Sequence, residues 1–97
     1  MPAYIFFDIL EIVDQKKMEE YGRRIGSTVE SYGGRYLVKG GTFYIVEGDW
    51  HPTIPVIIEF PNLEQAYAWY ESEDYKELRA LRAGAAKLNA VFVEGVK

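Results

Sequence analysis

The stretch that decides the fold is VIIEFPNLEQAYAWYESEDY, residues Val56–Tyr75. It begins with a β-branched run, which favours a packed strand. Because proline cannot donate a hydrogen bond to a strand ladder, Pro61 predicts that the strand ends at Phe60. Asn62 then stands where a helix N-cap is expected, and Glu64 follows in the first turn, where a negative charge is favourable. The stretch therefore predicts a strand, a tight turn and a helix.

The helix is predicted to restart in a new direction at Ser72. Ser72 is followed by Glu73 and Asp74, the pattern of a second N-cap with an acidic first turn. Apolar residues recur at intervals of three or four on both sides of this break, which is typical of amphipathic helices. They are Leu63, Ala66, Tyr67 and Tyr70 before it, then Tyr75, Leu78 and Leu81 after it. We expect the second segment to end near Ala86.

The rest of the chain supplies one more helix and three more strands. Asp14 is expected to cap the first helix, and Gly33 and Gly34 to stop it in the left-handed manner. Gly22 and Gly26 weaken this helix by roughly 1 kcal/mol each relative to alanine, so we expect them to let it sit close to the sheet. The predicted strands are Ala3 to Ile12, Arg35 to about Val46 with a break at Gly40–Gly41, Val56 to Phe60, and Leu88 to Glu94, with a loop from Gly48 to Thr53.

This β-α-β-β-α-β order predicts an α+β, ferredoxin-like fold with a four-stranded antiparallel sheet, formed by residues 1–97 as one domain. The helices can cover only one face of such a sheet, and the other face should then alternate with polar residues. Strands two, three and four are instead apolar on both sides. The exposed footprint would be roughly 300 Å², near the largest apolar patch that a monomer tolerates. We therefore predict a homodimer that buries this face by two-fold symmetry.

Composition excludes several classes of protein. The chain has 97 residues, a net charge of −4 and no cysteine. The acidic balance argues against nucleic acid or an anionic membrane as a partner, and a single histidine, His51, cannot build a histidine-rich metal site. No cofactor motif is present, so we expect neither a cofactor nor a metal. The N-terminus lacks the basic region of a signal peptide, and no apolar run could span a bilayer. We interpret the protein as cytoplasmic.

Four strings identify a resemblance to a known family. YGGRYLVKGG (Tyr32–Gly41), EGDW (Glu47–Trp50), IIEFPN (Ile57–Asn62) and AWYESEDYKELR (Ala68–Arg79) resemble, in order and spacing, the domain-of-unknown-function family numbered 1330. The resemblance implies a dimeric α+β barrel and no settled activity. Related folds include cofactor-free monooxygenases, haem-degrading enzymes and small isomerases or lyases, whose pockets usually lie between helices and sheet. Family members commonly carry an arginine just before the third strand, where this chain has Ile54.

Four carboxylates lie within or at the ends of predicted strands. Asp8, Glu47, Glu59 and Glu94 each alternate with large apolar residues. A buried carboxylate without a partner has a raised pKa, which suits a general acid or base. We select Asp8 and Glu59 as catalytic candidates and Glu47 as a ligand contact. The alternative for all four is a structural ion pair with an arginine, or a strand end that reaches water.

Arginine and tyrosine side chains are the candidate ligand-binding groups. Arg79 and Arg82 lie three apart on one helical face and, with Arg35, could clamp a carboxylate or phosphate. For the helical pair we favour the alternative, a solvated surface paired with Glu73, Asp74 or Glu77, and we prefer Arg35 as the anion contact. Tyr70 and Tyr75 could offer hydroxyls to a ligand, although such an aromatic stripe is more often core. His51 is expected to be an exposed loop residue.

The sequence predicts a small organic ligand held by Arg35 and aromatic walls, and Arg35 would pair with the charge of an anionic one. Asp8 or Glu59 would carry a proton in any cofactor-free chemistry, but the residues do not decide between an enzyme and a non-catalytic sensor or interaction module. RNA binding is the rival from another class, because the RNA-recognition motif shares this element order. Lys39, Gly40 and Phe43 match the start of its sheet signature, but its stacking positions would hold Gly41 and Val46.

Overall fold

The computed structural model describes residues 1–96, and its elements follow the predicted β-α-β-β-α-β order with the second helix in two pieces. Each element begins within two residues of the predicted place. They are β1 (Ala3–Ile12), α1 (Gln15–Ser31), β2 (Arg35–Lys39), β3 (Pro55–Phe60), α2 (Leu63–Tyr70), α3 (Glu73–Ala83) and β4 (Ala86–Glu94). The ferredoxin-like α+β prediction is confirmed.

The helix starts are set by three capping side chains. Asp14 accepts a hydrogen bond from the Lys17 amide. Asn62 accepts one from the Gln65 amide at 2.8 Å, and Ser72 one from the Tyr75 amide at 3.1 Å. Each cap satisfies an amide that has no partner inside its helix. Ser72 caps α3 as a helix separate from α2, and the sequence predicted this second start.

The four strands form one antiparallel sheet in the order β2-β3-β1-β4. In the register, Ile5 of β1 pairs with Ile58 of β3 and with Phe92 of β4. Because side chains alternate along a strand, these three share the face that the helices cover. Their neighbours in the chain point to the opposite face, which we call the open face. It carries Tyr4, Phe6, Asp8, Ile57, Glu59, Val91 and Val93.

The core lies between the helices and the covered face. Its largest fully buried side chains are Trp69, Tyr75, Phe60, Ile5 and Ile58. Trp69 stacks on Tyr75 with ring centroids 4.0 Å apart and packs against Phe60 at 5.3 Å. The indole N–H of Trp69 donates to the Thr28 hydroxyl at 3.0 Å, so the most buried polar group of α2 is satisfied by α1.

Three expectations about local structure were wrong. The second strand ends at Lys39 and does not resume: the chain from 41 to 54 forms no strand, because Gly40 turns away with a φ of 68°. Gly22 and Gly26 do not bring α1 close to the sheet, since a Cβ built on either meets nothing within 4 Å. The apolar face predicted for α2 omitted Trp69, which is fully buried, and included Tyr67, which is 51% exposed.

The exposed part of the open face remains apolar, as predicted. Val91 and Val93 are each 53% exposed, and Phe6 and Ile57 are partly exposed. Trp50 from the 41–54 loop packs against Phe6 with centroids 6.1 Å apart, so the loop reaches this face. None of the helices within residues 1–96 is long and apolar enough to cross a bilayer.

Candidate functional site

A cavity of about 220 Å³ lies between α1 and the covered face of the sheet. The sheet forms its floor, α1 forms its roof, and the ends of β2 and the 41–54 loop border it. Nearly all of its wall is hydrocarbon. Its lining residues are Phe7, Ile9, Met18, Tyr21, Gly22, Ile25, Tyr36, Lys39, Gly40, Ile54, Val56, Ile58, Arg82 and Leu88.

Buried polar groups lie beside the cavity where α3 meets α1; of these, Tyr21 and Arg82 line it, and Tyr75 lies behind them. The hydroxyls of Tyr21 and Tyr75 are 2.6 Å apart and share a hydrogen bond. Arg82 Nη1 donates to the Tyr75 hydroxyl at 3.2 Å. Tyr75 and Arg82 lie seven residues apart, two turns along the same face of α3. The restart of the helix at Ser72 therefore sets which face of α3 meets this cavity.

Arg82 is a buried cation with no acidic partner among residues 1–96. Its side chain is only 9% exposed, and its guanidinium lies 5.5 Å from the centroid of the Phe7 ring. The ion pairs formed within the described chain involve other arginines and lysines. Burying an unpaired charge costs several kcal/mol, and a hydroxyl compensates only in part. The cavity thus has a fixed positive charge at one end.

The phenols around Arg82 stay protonated at neutral pH. Burial raises the pKa of Tyr21 and of Tyr75 above the usual value. Burial, with a smaller contribution from Tyr75, also raises the pKa of Tyr36 to about 12. Neutral phenols donate and accept hydrogen bonds but do not act as general bases. The polar end of the cavity is therefore suited to receive an anion.

Arg82 was assigned by sequence to a solvated helix surface, and that interpretation was wrong. Its neighbour Arg79 does lie outward, where it stacks on the Tyr70 ring at 4.5 Å and pairs with Glu71 at 3.7 Å. The expected acidic partners are engaged elsewhere: Glu73 with Lys76, and Glu77 with Arg24. Arg79 and Tyr70 are not among the residues that line the cavity.

Arg35 and Glu59 lie on the open face, away from the cavity. Arg35 Nε donates to Glu59 Oε1 at 2.8 Å, and the two residues are Cα partners across β2 and β3. Glu59 follows the buried Ile58, so its side chain points to the other side of the sheet. The structural ion pair considered as an alternative for Glu59 is present. A catalytic role for Glu59, or an anion contact by Arg35, stays a prediction.

Asp8 is buried, but its partners are backbone amides and not arginines. Its Oδ1 accepts hydrogen bonds from the amides of Thr53 at 2.7 Å and Ile54 at 3.0 Å. Asp8 therefore ties the end of the 41–54 loop to β1. Whether it also carries a proton stays a prediction.

The remaining sequence candidates are exposed. Glu47 and His51 lie in the 41–54 loop, and Glu94 ends β4. Among residues 1–96, no three carboxylate or histidine side chains come together in a way that could hold a metal ion.

Sequence reasoning missed Tyr21 and Tyr36 as site residues. Tyr21 lies on the apolar stripe of α1 and Tyr36 lies within a predicted strand, and neither was selected as a site residue. Their hydroxyls were the available signal, because a buried tyrosine needs a polar partner. Only the packing of α1 against α3 shows that Tyr21 and Tyr75, 54 residues apart, are partners.

The family model described as "Domain of unknown function (DUF1330)" matches residues 2–96. The chain belongs to this family. The resemblance inferred from four sequence strings is thereby confirmed. Ile54, at the position where the resemblance implies an arginine, lines the cavity of this chain, and the cations that line it are Arg82 and Lys39.

Solved structures show the same fold in other proteins. A protein of unknown function from Rhodopseudomonas palustris is similar with a TM-score of 0.77 and 18% identity, over 99% of this DUF1330 chain and 83% of that chain. A structure from Bacteroides fragilis is described as a dimeric protein of unknown function with a ferredoxin-like fold. Its TM-score is 0.52 and its sequence identity 14%, over 97% of this chain and 94% of that chain. A structure described as an antibiotic biosynthesis monooxygenase is similar with a TM-score of 0.53 and 12% sequence identity, over 100% of each chain. No curated protein matches the sequence.

Proposed function

We propose that the chain binds a small, largely apolar organic acid in the cavity between α1 and the sheet. The observation that carries this proposal is the buried guanidinium of Arg82, which has no carboxylate partner within residues 1–96 and borders a hydrocarbon-walled cavity. Buried charges in proteins are usually paired. A ligand carboxylate would supply the missing charge, and a guanidinium offers it a planar pair of donors.

The volume of the cavity limits the ligand to about one ring. A cavity of roughly 150 Å³ in another protein holds benzene, while pockets for drug-sized ligands begin at about 300 Å³. At about 220 Å³, this cavity has room for a benzene ring with one small substituent. The apolar walls favour the ring and the Arg82 end favours the acid group, so each part of the ligand has its own place.

The hydroxyls of Tyr21 and Tyr75 would orient the acid group, since they are 2.6 Å apart and one of them already contacts Arg82. Burial raises the pKa of both phenols, so they stay neutral and can donate hydrogen bonds to the acid group. Binding is thus the function that this geometry supports best. Acid–base chemistry would need Asp8 or Glu59, whose side chains project from the other face of the sheet.

The proposal is tested with a matched pair of ligands, benzoate and benzamide, which differ in charge but hardly in shape. Calorimetric titration should show that the wild-type protein prefers benzoate by about tenfold or more, or ~1.4 kcal/mol. Arg82→Gln should remove the preference. Arg79→Gln is the control, because Arg79 is on the same helix but outside the cavity. Equal affinity for the two ligands in the wild-type protein would contradict the proposal.

We also propose that the chain forms a homodimer through the open face. Val91 and Val93 are half exposed there, and Tyr44, Val46 and Trp50 of the adjoining loop are more than 70% exposed. A stable interface needs about 800 Å² from each partner, more than the roughly 300 Å² footprint of the sheet, so the loop would have to contribute to the interface. A neighbour of the same fold is described as dimeric, which supports this arrangement.

A further inference from the structure

Gly22 occupies an unusual place in the roof of the cavity. It lies in the middle of α1, and the residues four before it and three after it, Met18 and Ile25, also line the cavity. Residues at these spacings share one face of a helix. Gly22 is therefore the position where the roof lacks a side chain. It is also exposed to solvent, so the cavity reaches the surface beside it.

Neither backbone geometry nor packing requires a glycine at this position. The glycines with positive φ within residues 1–96 are Gly33, Gly40 and Gly48, and Gly22 is not one of them. A Cβ built on Gly22 meets nothing within 4 Å. Glycine is less favourable inside a helix than any other residue except proline. What its presence provides here is empty space next to the cavity.

We propose that Gly22 forms the mouth of the cavity and sets the size of ligand that it admits. The inference rests on the proposed binding function. A side chain at this position would lean back along the helix, toward Met18, and would close the opening or fill the cavity beneath it. The preferred ligand is then a monocyclic acid whose far end lies under Gly22 while its acid group faces Arg82.

The chain supplies its own control in Gly26. It is in the same helix, and a Cβ built on it also meets nothing within 4 Å, but it does not line the cavity. Nothing in the structure explains why this position is glycine. Gly22→Ala and Gly26→Ala should raise the melting temperature by similar amounts, since both gain helix propensity. This pair shows that both positions accept a side chain in the folded protein.

The decisive variants are Gly22→Leu and Gly26→Leu, probed with 4-fluorobenzoate by ¹⁹F NMR. We expect Gly22→Leu to weaken binding at least tenfold and Gly26→Leu to change it less than twofold. Xenon is the second probe, because dry apolar cavities take it up without any charged partner. Xenon should shift the methyl resonances of Ile25 and Ile58 in the wild-type protein and in Gly26→Leu, but not in Gly22→Leu.

The two probes separate this inference from the function on which it rests. If Gly22→Leu still binds both 4-fluorobenzoate and xenon, Gly22 does not form the mouth of the cavity, although the proposed binding function stands. If the wild-type protein takes up xenon but no acid, and Gly22→Leu no longer takes up xenon, Gly22 forms the mouth of the cavity but the chain does not bind an organic acid there. A wild-type protein that takes up neither probe contradicts both.

Discussion

The two faces of the sheet differ in how completely the single chain satisfies them. On the covered face, helices bury the strands, and no fully buried side-chain polar atom of residues 1–96 lacks a hydrogen bond, but the charge of Arg82 has no acidic partner there. On the open face, the charges of Arg35 and Glu59 are paired and Asp8 is bonded to two amides, but apolar side chains remain exposed. Under the two proposals above, a ligand anion would pair with the covered face, and a second copy of the chain would cover the open face. This difference separates ligand binding from self-association.

Neighbouring isoleucines of β3 provide the largest test of this comparison. Ile58 is fully buried on the covered face, whereas Ile57 is partly exposed on the open face. We expect Ile58→Ala to lower the free energy of unfolding by about 2–5 kcal/mol. Ile57→Ala should cost roughly 1 kcal/mol in dilute protein, since less apolar area is lost from contact.

The measurement is urea denaturation of both variants at several protein concentrations. Because a second copy would bury Ile57, the cost of Ile57→Ala should grow as the concentration rises, while that of Ile58→Ala should stay constant. Equal costs at every concentration would remove the distinction between the two faces.

A charge on the open face should break the dimer and leave the fold intact. Val91 of β4 pairs with Phe6 of β1 on this face. Val91→Glu should weaken association at least 100-fold, or ~2.7 kcal/mol, because the carboxylate would be buried without a partner. Light scattering at micromolar concentration should give twice the chain mass for the wild-type protein and the chain mass for the variant.

Ala80→Glu is the control, because Ala80 is exposed on α3. A wild-type protein that is monomeric under these conditions would contradict the proposed homodimer.

The carboxylates of the open face should affect stability more than ligand binding. Asp8→Asn weakens two charge-assisted hydrogen bonds, so we expect a loss of about 1–2 kcal/mol and faster hydrogen exchange at Thr53 and Ile54. Glu59→Gln should cost about 0–1 kcal/mol, because its partner Arg35 is largely exposed. His51→Ala should change little.

The same three variants decide the catalytic hypothesis drawn from the sequence. That hypothesis predicts that Asp8→Asn or Glu59→Gln weakens function tenfold or more. The structural account predicts that both keep benzoate affinity within about twofold of the wild-type value. A large loss in either acid variant, with the fold intact, would place the chemistry on the open face.

The buried phenols predict a loss of stability in alkali. In the unfolded chain tyrosine ionises near pH 10, but the folded pKa of Tyr36 is about 12. Between these values the folded protein binds more protons than the unfolded chain, so the free energy of unfolding falls as the pH rises. Tyr36→Phe should make this fall shallower. Denaturation at pH 8 and pH 11 measures the fall in the free energy of unfolding. An equal fall in the wild-type protein and in Tyr36→Phe would contradict the raised pKa of Tyr36.

Local patterns were sufficient to predict most of the fold. Asp14, Asn62 and Ser72 each cap a helix as expected, because a cap depends on residues within one turn. The β-branched and aromatic run after Gly40 misled the prediction for the second strand. Strand propensity describes how well a side chain suits a packed sheet, and residues 41–50 have no neighbouring strand in the single chain.

The site was less predictable because it depends on which elements pack together. Alternation along β1 and β3 showed that Asp8 and Glu59 point to the other face of the sheet from the aliphatic residues next to them in the chain. It did not show which of the two faces the helices would cover. Helical spacing placed Arg82 on a face with Arg79, yet the packing of α3 buries Arg82 and leaves Arg79 partly exposed. Such choices depend on long-range contacts that no local pattern contains.

The central claim is that the ligand binds on the covered face beside Arg82. The most direct test is an intermolecular NOE experiment with benzoate, using methyl groups on both faces as reporters. The account predicts NOEs from the ring protons to Ile25, Val56 and Ile58, which line the cavity. NOEs only to Ile57, Val91 and Val93 would place the ligand on the open face and contradict the account.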